Sequence, residues 1–289
     1  PTCYLLNGRR IAFQYGTDEP PVMLAEPQLR YRATDLTELA PEDESARFDV
    51  TTEVVSALRD ELELHWLFET AKEARQPARP LVALADGTLI RWMLRGMKNR
   101  ALEDRLVDRY IAELERFRAE GLPVASYISR PGNAEVVNLL RFHLGEDEDQ
   151  PTDDTLRGLL DRHLFEAVLP VGARSALFAS GSRILEHYGP HHHILYFYVR
   201  LPHEVARVEL PRWVAEQAGW VDLLHGVVLD EVEKGDGYPM ILSEAHERAV
   251  VRAQEKELFY RILERQMHHA GIAAPSLSAK SASKRAPRI

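Results

Sequence analysis

Two runs, HILYFYVRL at residues 193–201 and VARVELP at residues 205–211, constrain the fold of this chain more than any other feature. Both are short and dense in β-branched and aromatic residues, which is the signature of strands, and the proline turn between them makes a hairpin the natural pairing. The remainder of the chain interleaves strand-like and helix-like segments. A hairpin within such a series argues against a strictly parallel sheet, so the expected fold class is α/β, a mixed sheet flanked by helices.

The other elements follow from spacing and turn chemistry. Tyr4 to Leu6 and Arg10 to Tyr15 read as a hairpin about Asn7-Gly8, a doublet suited to a type I′ turn. Residues 17–48, rich in proline and acids, read as a long connection. Val54, Val55, Leu58, Leu62, Trp66 and Leu67 keep helical spacing, which predicts a helix from Thr52 to about Arg75. A helix from about Leu102 to Ala119 ends at Gly121; PVASYIS then reads as a strand, and Ala134 to Arg141 as a helix. Later helices are expected over Arg212 to His225 and Ser243 to His269, with Ser243 as the N-cap. GEDEDQPTDD reads as a solvated acidic loop. The terminal APSLSAKSASKRAPRI is small, polar and basic without an apolar period, so residues 1–275 are expected to form one domain and 276–289 a tail.

Composition closes off several functions. The chain has 45% hydrophobic residues, enough for a core, but no run approaching the roughly 20 apolar residues of a membrane span. No signal peptide opens it, which makes the cytoplasm the expected location. A single cysteine, Cys3, excludes an internal disulfide framework and a cysteine-rich zinc site. A net charge of -9 argues against a protein that coats nucleic acid, though it says little about a local groove.

One stretch carries chemistry. In LVALADGTLIRWML, residues 81–94, two short apolar segments flank Asp86-Gly87 and read as adjacent buried strands joined by a tight turn, with Asp86 at a strand end. A turn aspartate capping its own backbone is the plain reading; a catalytic one needs partners. Arg59 and Glu63 lie at i and i+4 on the first long helix, where an ion pair could hold the carboxylate. GDGYPMILSEAH brings Tyr238 and, in the first turn of a long helix, His246. A glutamate, an aspartate and a histidine on separate elements suit a hard divalent cation such as magnesium or manganese. The HHH at 191–193 does not, because consecutive residues entering a strand point to alternate faces. Glu209 reads as an edge-strand acid or as a further ligand.

Taken in order, LLNGRRIAFQYG, LVALADGTLI, VASYISRP, GARSALF, ILYFYVRL, ARVELPRW, GYPMILSEAHERAV and SAKSASKR resemble the NurA family of DNA repair nucleases along nearly the whole chain. The resemblance implies an RNase H-like fold and manganese-dependent cleavage of DNA; the chemistry of phosphodiester hydrolysis suits two ions, with magnesium as the alternative metal. It also implies a homodimer and a HerA-type hexameric ATPase partner in DNA end processing and double-strand break repair. By motif, Asp86 matches the second active-site aspartate, at a strand end in the middle of the sheet. Glu63 matches the helical glutamate, with Glu61 as the alternative register, His246 the late histidine ligand and Tyr238 the active-site tyrosine. The family's first aspartate belongs to a DGS strand upstream of LLNG. This chain opens at Pro1 without that strand, so a truncated chain of reduced activity is expected, with an open strand edge beside Arg10 to Tyr15. Phosphate contacts require local cations; Arg130, Arg174, Lys280 and Lys284 are candidates. The other classes left open are a non-catalytic adaptor of such an ATPase and a small-molecule phosphatase with a closed pocket.

Overall fold

The structure, a computed structural model, describes residues 4–30, 51–92, 100–144, 156–249 and 253–269. It divides into two units, Pro1–Arg248 and Ala249–Ile289. In the first, Tyr4–Ala12 (β1) pairs antiparallel with Val22–Arg30 (β2). The helix Thr52–Ala74 (α1) follows, begun by the Thr51 hydroxyl accepting from Val54 N at 3.3 Å. Then come Ala83–Asp86 (β3), Arg100–Glu120 (α2), Val124–Ser129 (β4), Glu135–His143 (α3) and Asp161–Val168 (α4). Phe178–Ala179 (β5), the short Gly189–His192 (α5), Ile194–Arg200 (β6) and Val205–Pro211 (β7) precede Arg212–Ala215 (α6), Trp220–Lys234 (α7) and Met240–Ala249 (α8). The second unit contributes Ala253–His269 (α9).

Five strands form one mixed sheet in the order β3-β4-β7-β6-β5. β3 and β4 run parallel and the remaining pairs are antiparallel, including the expected β6–β7 hairpin. Alternation along β7 sorts its side chains onto two faces. Ala206, Val208 and Leu210 join the main core with Leu114, Phe117 and Val228, while Val205 joins a second cluster with Tyr196, Tyr198, Val136 and Phe165. Helices therefore cover both faces, and every residue of β7 is buried. α1 and α2 lock edge-to-face through Phe68 and Phe117, ring centroids 5.2 Å apart. α3 has no cap of its own; the fully buried Asp161 accepts from Val136 N and Val137 N, and from the Tyr198 hydroxyl.

Several expectations are corrected. Asn7-Gly8 lies inside β1, and Arg10 and Ile11 pair with Leu24 and Met23 of β2, within the stretch expected to be a connection. The glycine serves a close approach instead of a turn: a Cβ at Gly8 would fall 1.3 Å from the Trp66 ring of α1. Gly8→Ala is accordingly expected to destabilise the fold by about 1–3 kcal/mol, the usual range for overpacking, read by urea denaturation. Leu89 and Ile90 are buried but form no strand, and 93–99 lie outside the described residues. The helix expected over Arg212 to His225 is broken at Gly219, whose φ is +80. Ser243 is no cap, because α8 already begins at Met240 and Ser243 N bonds back to Pro239 O. β3 is an outer strand of the five, so Asp86 stands at the end of a border strand and not in mid-sheet. β7 is an inner strand, so Glu209 is no edge acid. The acidic loop over 145–154 and the tail over 276–289 lie outside the described residues. No described helix is long and apolar enough to cross a membrane.

Candidate active site

Asp86 ends β3 directly beside Tyr127 of the parallel strand β4. Gly87 N donates to Tyr127 O at 3.0 Å and takes φ +89, a left-handed conformation that turns the chain out of the sheet just after the carboxylate. The exposed Asp86 side chain receives the Tyr238 hydroxyl at Oδ1, at 3.0 Å. Tyr238 arrives on the turn between α7 and α8 and stands edge-on to Tyr127, centroids 5.5 Å apart. Burial, then the charge of Asp86 and the hydrogen bond to it, push the Tyr238 hydroxyl well above the usual phenol range, so it stays a proton donor at neutral pH. The turn is anchored by Glu231, 2% exposed, which accepts from Ile241 N at 2.8 Å and from the Tyr15 hydroxyl.

Glu63 approaches from α1. Its side chain is 57% accessible and lies 3.5 Å from Arg59, the expected i,i+4 pair, which contributes little when so exposed. Surrounding protein mass nonetheless raises its pKa; Arg59 opposes, Asp60 adds, Arg91 opposes and Asp86 adds. Glu63 and Asp86 are thus within electrostatic reach of each other. Glu61 is committed elsewhere, to Arg109 at 2.8 Å. His246 is exposed on α8 and hydrogen-bonds to neither carboxylate. Among the described residues no group of three or more His, Cys, Asp or Glu is placed to hold a metal ion. Asp86 and Glu63 both carry hard oxygen donors, the right chemistry for magnesium or manganese.

The cationic candidates divide. Arg130 is exposed and directly follows β4, at the same end of the sheet as Asp86, with φ +46 and its carbonyl held by Arg162. Arg174 is paired with Asp222 at 2.7 Å and lies beside β6, across the sheet. Lys280 and Lys284 lie outside the described residues. The histidines of 191–193 do not enter a strand as expected: His191 and His192 lie in α5, where His192 meets Glu115, and His193 meets the Ser180 carbonyl. Sequence reasoning missed Glu204, which accepts from Tyr127 and Ser129 at 2.7 and 2.6 Å beside Tyr238, because nothing in LPHE marks it. It also missed the buried pair Arg207–Glu209, for which a signal existed: two opposite charges at i and i+2 share one face of an apolar strand.

Compared with known families, residues 8–251 match the NurA domain. No curated protein matches. Among solved structures, the crystal structure of the NurA nuclease from Sulfolobus solfataricus is similar at a TM-score of 0.54 and 14% identity, covering 93% of this chain and 84% of that one. At that identity the likeness is one of fold.

Proposed function

The chain belongs to the NurA domain family, and from that premise we propose that it is a metal-dependent nuclease that hydrolyses phosphodiester bonds in DNA. The observation that supports this most is the contact, at one end of the sheet, between Asp86 at the end of β3 and the Tyr238 hydroxyl from the turn before α8, with the charge of Glu63 on α1 within electrostatic reach. Asp86 and Glu63 would hold the cation, with His246 a further ligand. Bound manganese, or magnesium in its place, as two ions, would offset phosphate charge and acidify a water. The Tyr238 hydroxyl keeps its proton and donates it in a hydrogen bond to Asp86 Oδ1, which would help to orient that carboxylate for a ligand at its other oxygen. Arg130, Lys280 and Lys284 would meet DNA phosphates, and Arg174 could do so on leaving Asp222.

The reading extends to a homodimer that works in the cytoplasm with a HerA-type hexameric ATPase on DNA ends and in double-strand break repair. The test is incubation of end-labelled DNA with manganese, with and without a chelator; cleavage that the chelator abolishes supports it. Two carboxylates that repel in the absence of cation should also be relieved by it. Manganese at about 100 times its Kd is expected to stabilise the fold by roughly 2.7 kcal/mol, read as a rise in Tm. Tyr238→Phe is expected to lower cleavage about tenfold and to cost only about 1 kcal/mol of stability, the worth of one hydrogen bond. Normal cleavage by that variant would reduce Tyr238 to a packing residue.

The second reading, a non-catalytic adaptor of a DNA-translocating ATPase, is favoured by the lack of a three-donor group among the described residues. An adaptor would neither cleave DNA nor gain stability from manganese.

A further inference from the structure

We infer that the buried Glu209 is a positioning residue for Asp86, acting through the turn that follows it; the inference rests on the nuclease reading above. Glu209 lies on β7 opposite Ser126 of β4, and Ser126 has Ala85 of β3 on its other side, so Glu209 is two strands from the site. The turn after Asp86 folds back across β4 to reach it. There Glu209 Oε2 accepts from the Thr88 hydroxyl at 2.8 Å and from Leu89 N at 2.9 Å. Its other oxygen accepts from Arg207 Nε at 2.8 Å. A carboxylate needed only as a counter-ion for Arg207 would not spend a whole oxygen on a turn.

The clamp continues to α1. The Thr88 hydroxyl accepts from Ile90 N at 3.0 Å, which fixes the direction of its proton toward Glu209. The Tyr188 hydroxyl donates to Leu89 O and accepts from Arg91 N. The Arg91 guanidinium returns to Thr88 O and crosses to Asp60 at 2.5 Å. Asp60 lies on α1, one turn before Glu63. The turn after Asp86, from Thr88 to Arg91, is therefore tied at one end to an inner strand and at the other to the helix that bears Glu63. The backbone on which Asp86 stands is held by Glu209 before any substrate arrives, which is what outer partners of metal ligands do.

The decisive variant is Thr88→Val, which keeps the side-chain shape, deletes the hydroxyl and leaves the Arg207–Glu209 pair intact. Glu209→Gln is the companion, because its amide would set an N–H against that of Leu89. In the full chain, manganese affinity is read by paramagnetic resonance, DNA cleavage as separate kcat and KM, and folding as Tm. Both variants are expected to lose manganese affinity and kcat roughly tenfold to a hundredfold. KM for DNA stays constant, Thr88→Val melts near the wild type, and Thr88→Ser restores both losses. Wild-type affinity and kcat in Thr88→Val, alongside their loss in Asp86→Asn, would overturn the inference and leave the nuclease reading standing. So would a Thr88→Val that loses function only in step with a lowered Tm and is not rescued by serine. A wild-type chain that binds no manganese, or an Asp86→Asn variant indistinguishable from it, would overturn the nuclease reading and this inference together.

Discussion

Asp86→Asn is expected to lower manganese-dependent DNA cleavage by roughly a thousandfold or more, in the range of other single deletions from a catalytic set, while leaving Tm unchanged or slightly raised. The asparagine carbonyl still accepts the Tyr238 hydroxyl, so the contact that spans 152 positions of the chain survives. What disappears is a negative charge within reach of Glu63, whose pKa that charge helps to raise. The loss harms cation binding and relieves repulsion in its absence. Activity and stability should therefore move in different directions, as is common where a site is built against the preference of the fold. Rates on end-labelled DNA and a melting curve without metal measure the two halves. Cleavage within about tenfold of the wild type would remove Asp86 from the catalytic set.

The largest loss of stability is expected from Arg207→Met. Arg207 is fully buried, bound to Glu209 at 2.8 Å and to Glu135 at 2.7 Å, with its guanidinium 3.6 Å from the Tyr196 ring centroid. Those two carboxylates hold its pKa above the usual arginine range against the opposing effect of burial. Methionine fills much of the volume but leaves Glu209, 1% exposed, as a buried charge without a cation. Breaking one side of a buried pair costs about 3–5 kcal/mol, whereas replacing both sides by apolar groups is often much milder. Arg207→Met should thus lower the stability measured by urea denaturation by that amount. Adding Glu209→Met should recover part of it, while still freeing the turn at Thr88. A single variant within about 1 kcal/mol of the wild type would show that water or a shifted partner already screens the pair.

Local pattern made much of this molecule readable. The apolar spacing of α1, Gly121 at the end of α2 and the β6–β7 hairpin are all set by near neighbours, and all appear in the structure. Asn7-Gly8 misleads because the same doublet serves two purposes, and which one applies depends on Trp66, far along the chain. Leu89 and Ile90 look like strand residues because they are buried, yet their backbone is satisfied by Glu209 and the Thr88 hydroxyl instead of a neighbouring strand. At the candidate site, the place of Asp86 at a strand end was legible from the glycine that follows it and the apolar run before it. The choice between Glu63 and Glu61 was not, because it depends on which side of α1 faces β3 and which faces Arg109. Strand order was likewise invisible: no local feature tells that VARVELP lies inside the sheet or that LVALAD borders it.

On the nuclease reading proposed above, the long reach of the contacts governs when cutting power arises. β4 waits for β7, Asp86 for Tyr238, and Tyr15 for Glu231, 216 positions downstream. A ribosome-bound chain that has released β3 and β4 holds the aspartate but neither the inner strand that clamps its turn nor the phenol that orients it. Such distant pairings also make folding slow and leave an unfinished sheet exposed to association with other chains. Cutting power would then arise late and all at once, with completion of the domain, and a chain cut short before residue 238 would be a liability for aggregation instead of a stray nuclease.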